Sequence, residues 1–74
     1  MRSLTVQQFS DTYLMGIREG REYLNRFRPN LAEARDVLAN IECTLRRGFG
    51  REVAEMLRGE RDFWRNQIKK GALS

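Results

Sequence analysis

The sequence predicts an all-α fold, a small three-helix bundle with helices over about residues 5–28, 31–47 and 51–70. Three observations lead there. Apolar residues recur at steps of three and four along three stretches, and at about 100° per residue that spacing gathers them on one face. Two breaks, Arg28-Pro29-Asn30 and Gly48-Phe49-Gly50, separate the stretches. Both breaks are short, so successive helices fold back as hairpins, either closing as one bundle or pairing as a dimer.

The first helix is expected to begin near Thr5, where Thr5 and Gln8 have the spacing of a capping box. Val6, Phe9, Tyr13, Gly16, Ile17, Gly20, Leu24 and Phe27 then share one arc. Gly16 and Gly20 lie on that arc, where each costs up to about 1 kcal/mol against alanine. Glycines four apart on a packed face admit a backbone or a large ring, and Phe63 or Trp64 is the ring expected there. Pro29 holds Arg28 extended and ends the helix.

Asn30 to Arg47 is read as the organising stretch. Leu31, Ala34, Leu38, Ile41 and Leu45, flanked by Val37 and Thr44, make a stripe wide enough to serve two neighbours. Asn30 caps this helix with Glu33 in the reciprocal position. Gly48 suits its C-terminal cap, and Arg46 and Arg47 suit the negative end of its dipole.

Gly50 or Phe49 opens the third helix and Gly71 stops it. Its arc holds Phe49, Val53, Met56, Leu57, Phe63, Trp64 and Ile68, with Glu60 and Gln67 intruding. Gly59 in mid-helix is a weak point that allows a bend. The last residues, Ala72 to Ser74, are expected to fray.

Size and composition set the limits. Seventy-four residues make one domain, and a chain this short buries only about 60% of its unfolded surface, so the core is small. At 41% hydrophobic and 32% charged residues the chain is neither disordered nor membranous. No apolar run approaches the ~20 residues of a spanning helix, and the N-terminus lacks the apolar core of a secretory signal. The helix faces carry charges of both signs, so a membrane surface is not the expected partner either. A lone Cys43 makes no internal disulfide, which favours a cytoplasmic location. The initiating methionine suggests a small natural open reading frame.

The residues for most catalytic chemistry are missing. The chain has no histidine and one cysteine, so imidazole-based triads, multi-cysteine metal sites and the commonest general base are excluded. It has no phosphate-binding glycine loop. Most acids have a base at helical spacing: Arg18–Glu22, Glu22–Arg26, Glu42–Arg46, Arg51–Glu55 and Arg58–Asp62. An enzyme is not expected, nor a cofactor, nor a metal.

Two candidate surfaces remain. Arg51, Arg58 and Arg65 recur every seven residues and Lys69 continues the column, an arrangement that can follow a phosphate backbone. Glu55 and Asp62 lie beside it and partly neutralise it. A helix-turn-helix around Gly48 would aim Gly50, Arg51, Glu52, Glu55 and Met56 at base edges. Its two acids repel phosphate, and the preceding helix is about twice the length that motif uses. The other surface centres on Glu60, which stands where the pattern calls for leucine. A carboxylate there is bonded to an arginine, Tyr13 or Tyr23, or turned to the edge of the bundle, or it meets a partner or a second copy of the chain together with Met56 and Phe63.

The expectation is a non-catalytic protein-binding module, an adaptor or inhibitor that occludes a surface of a larger protein. Its size and form give the expectation of an origin in a phage or another mobile element. Met56, Glu60, Phe63, Arg51, Arg58 and Arg65 are the expected partner-binding residues. Leu14 and Met15, off the main arc, leave room for a homodimer. Nucleic-acid binding through the basic column is the alternative.

Overall fold

A computed structural model describes residues 10–71 and residue 73. They form a three-helix bundle: α1 is Asp11–Phe27, α2 is Leu31–Arg47 and α3 is Arg51–Lys70. The expected Thr5–Gln8 capping box, with Val6 and Phe9, lies outside the described residues. Within them α1 starts at Asp11. Ser10 is extended, and its hydroxyl accepts a hydrogen bond from the Tyr13 N–H at 3.0 Å.

The turns differ in how they are made. Arg28 is not extended as its place before Pro29 suggests; it closes α1 in the left-handed region at φ 47°, its N–H bonded to the Leu24 carbonyl. α2 opens on the predicted capping box. Asn30 Oδ1 accepts from the Glu33 N–H at 2.8 Å, and Glu33 Oε1 accepts from the Asn30 N–H at 2.9 Å. Gly48 caps its end at φ 85°. α3 begins after Gly50, which supplies no side-chain cap, and ends at Gly71 with φ 71°.

The helices run up, down and up, but the packing does not follow the chain. No Cα of α1 comes within 8 Å of a Cα of α2; both helices pack on α3. α1 lies parallel to α3, as the pairs Ser10–Glu55, Tyr13–Asp62 and Gly20–Phe63 show. α2 runs antiparallel to α3, with Glu42 against Arg65 and Leu45 against Arg61. The organising helix is therefore α3, not α2.

Glycine is the physical reason. A β-carbon on Gly16 would overlap the Met56 carbonyl oxygen, and one on Gly59 would overlap that of Tyr13. The α1 and α3 backbones thus touch directly, at glycines contributed by both helices. Gly59, expected as a weak point in mid-helix, is also a contact surface. One turn on, the Phe63 ring fills the groove at Gly20, 2.7 Å from where a β-carbon would stand. That ring was one of the two expected there.

The core is small. Ala34, Ile41, Phe63 and Trp64 are its buried apolar members, with Ile17, Leu24, Val37, Leu38, Leu45, Leu57 and Ile68 packed half-buried around them. Trp64 is almost fully enclosed, at 1% exposure. Its ring stands nearly perpendicular to that of Tyr23 of α1, 5.7 Å away between ring centroids. This one ring spans the gap between α1 and α2, so the wide α2 stripe serves a single neighbour.

Candidate functional site

Because α1 and α2 diverge across α3, a cleft of about 260 Å³ opens between them. Glu60 and Trp64 form its floor, Glu19 and Tyr23 one wall, Val37 and Ile41 the other. α3 places Glu60 and Trp64 one turn apart on a single face. On α1, Glu19 and Tyr23 repeat that spacing one step to the side of the glycine contacts.

Glu60 is half-buried and, among the described residues, makes no hydrogen bond or ion pair. Burial pushes its carboxyl above the ordinary carboxylate range, and repulsion from Glu19 adds to the shift. The structural partners considered for it are engaged elsewhere. The Tyr13 hydroxyl donates to Asp62 Oδ2. Tyr23 packs its ring against Phe27 at 4.7 Å and against Trp64.

Those ring contacts extend the site. Phe27, Tyr23, Trp64 and Phe63 form a continuous series of aromatic contacts from the exposed end of α1 into the core. Phe27 is 61% exposed and Tyr23 41%. Sequence reasoning named Tyr23 only as a structural partner for Glu60 and Phe27 only as a member of the packed arc of α1, and it passed over Glu19. Tyr23 and Phe27 carried a signal, an aromatic pair at i and i+4 on the last turns of a helix; Glu19 looked like an ordinary surface acid.

The six expected partner-binding residues do not form one surface. Phe63 is buried against Gly20, so its assignment to an interface is corrected: the glycine groove draws the ring into the core. Met56 is half-buried, with its backbone carbonyl against Gly16. Glu60 alone reaches the cleft. Arg51, Arg58 and Arg65 are exposed on another side of α3. There Arg58 Nη1 donates to Glu55 Oε2 at 3.0 Å and Arg65 Nη2 to Glu42 Oε2 at 2.9 Å. The basic column is thus half neutralised by its own neighbours. None of the five ion pairs expected from helical spacing forms among the described residues. Asp62, for one, engages Tyr13 and Arg61 in place of Arg58.

Elsewhere the surface offers less. Leu14 and Met15 stand exposed on the outer face of α1 at 48% and 47%, and Phe49 and Val53 at the turn into α3 at 55% and 41%. Cys43 is exposed and free. Among the described residues, no three potential ligands gather to hold a metal ion, and no helix is long and apolar enough to cross a membrane. Comparison with protein-family models, with curated proteins and with solved structures finds no match to this chain.

Proposed function

We propose that this chain is a small, non-catalytic protein-binding module of the cytoplasm, an adaptor or inhibitor that covers a surface of a larger protein. The observation that carries the reading is the cleft, with its exposed aromatic approach and a carboxylate that has no partner among the described residues. Tyr23 and Phe27 are rigid, amphipathic or apolar rings of the kind that anchor interfaces. They are held by contacts to each other and to Trp64, so little side-chain freedom is lost on binding.

The basic column of α3 supports nucleic-acid binding less well. Arg58 and Arg65 already hold carboxylates, and a phosphate contact made by either would first have to displace one.

The test is capture from nuclease-treated lysate of the source cell in about 0.3 M salt, which screens surface charge, by the wild-type chain and by Phe27→Ser. Phe27 is mostly exposed, so the variant keeps the fold. One stoichiometric protein held by the wild type and lost from the variant is the expected result. Retention of nucleic acid alone when the nuclease is omitted, abolished by Arg58→Glu with Arg65→Glu, overturns the reading in favour of the column.

A further inference from the structure

The cleft has a charge unlike the rest of the molecule. The chain carries a formal net charge of +4, and each of the other described grooves is lined by at least one arginine. Among the described residues this cleft is lined by Glu19 and Glu60 and by no basic residue. Both acids are free of ion pairs among the described residues, although the chain has arginine in excess. The remaining lining is apolar or neutral: Tyr23, Val37, Ile41 and the amide of Asn40.

We propose that the cleft receives the guanidinium of an arginine side chain presented by a partner protein, held between the Glu60 carboxylate and the ring of Tyr23. This deepens the protein-binding reading and rests on it.

Size, charge and shape agree on that occupant. A cleft of about 260 Å³ falls below the ~300–1,000 Å³ typical of small-molecule sites, and it admits one long side chain. Two like-charged carboxylates, one of them half-buried, are relieved by a single cation beside them. A metal ion is a poor fit, since hard divalent cations take six or more oxygens and the described residues gather no third acid. Arginine suits the site better than lysine. Its planar fork engages a carboxylate through two N–H groups, and its face stacks on the exposed tyrosine ring. The aliphatic stem then lies along Val37 and Ile41.

The direct test uses Nα-acetyl-arginine amide as probe, read by the indole N–H resonance of Trp64, the single tryptophan. Nα-acetyl-citrulline amide, the neutral isostere, is the control. Saturable movement with the arginine probe is expected. Citrulline should bind about tenfold more weakly, the loss of one hydrogen bond to a charged group, and Glu60→Gln should produce the same weakening. Glu60→Gln keeps the side-chain shape, and thermal unfolding checks that the variant is folded. Equal response to both probes, or a response unchanged by Glu60→Gln, overturns the proposal. A partner captured through Phe27 by a chain that ignores the arginine probe overturns it too, and leaves the protein-binding reading standing. Arginine-selective filling with no captured protein removes the partner on which both rest. A concentration-dependent dimer dissolved by the arginine probe overturns the assignment to a foreign partner, because a second copy then supplies the arginine.

Discussion

Gly59 of α3 rests against the Tyr13 carbonyl of α1 so closely that a β-carbon on it would overlap the oxygen. Gly16 repeats the arrangement in reverse, against the Met56 carbonyl. In both cases the obstacle is backbone, which moves only if the helices separate. Gly59→Ala and Gly16→Ala are each expected to lose about 2 kcal/mol net, the strain of overpacking outweighing the ~1 kcal/mol gained in helix propensity. That loss lowers Tm by roughly 8–16 °C in a chain of this size. At Gly20 the neighbour is the Phe63 ring, which can tilt, so Gly20→Ala should lose less. Thermal unfolding of the three variants checks the order.

Tyr13 ties the same two helices at its other end. Burial first, and then its hydrogen bond to the Asp62 carboxylate, push the phenol up from 10.0 to about 12. The folded state therefore holds this proton more tightly than the unfolded state. The associated stability is present in full below pH 10 and is lost as pH rises through about 12. Tyr13→Phe should lose about 1–2 kcal/mol at neutral pH and remove this contribution to the alkaline decline. Urea unfolding from neutral to alkaline pH measures both effects.

How much of this was legible depends on where each signal resides. α2 was readable to the residue because both of its cap partners, Asn30 and Glu33, are local in sequence. Ser10 followed by Asp11 also carries a local start signal, a cap with an acid in the first turn, but the earlier Thr5–Gln8 pair drew the boundary away from it. The dominance of α3 was not legible. It arises from glycines on two helices meeting each other, and one helix pattern cannot reveal what the other presents. Glu60 was visible as a polar residue on an apolar arc. Its cleft was not, because Glu19 joins the site only through the α1–α3 crossing.

Two turns leave stability unused. Arg28 occupies the left-handed region at φ 47°, which costs a non-glycine residue roughly 1–2 kcal/mol. Arg28→Gly should recover about 0.5–1 kcal/mol after the added freedom of the unfolded chain is counted. Gly50 caps α3 without a side-chain hydrogen bond, and Gly50→Ser should add a few tenths of a kcal/mol. The two sites are at opposite turns and share no partner, so the double variant should show the sum. Denaturant midpoints at constant slope are the measurement.

Glu60 links stability to the cleft. Its carboxyl is raised above 4.5 by burial and by Glu19, so the folded state favours the protonated form. Its favourable effect on folding is complete below pH 4.5 and is lost as pH rises through the raised value. The charged groups facing it are Glu19 from α1 and, from α2, none, since Val37, Asn40 and Ile41 are neutral. Glu60→Gln should therefore stabilise the chain at neutral pH. The gain should be no more than about 1 kcal/mol, because solvent reaches half of the group and screens the repulsion. Below pH 4 the gain should vanish. Glu19→Gln should act in the same direction and more weakly, as the second cause of the shift. Urea unfolding at pH 4 and pH 7 decides the matter: equal stability of Glu60→Gln and wild type at both values would mean the carboxylate is already compensated. A carboxylate that weakens the fold and strengthens arginine binding answers to the partner, not to the core.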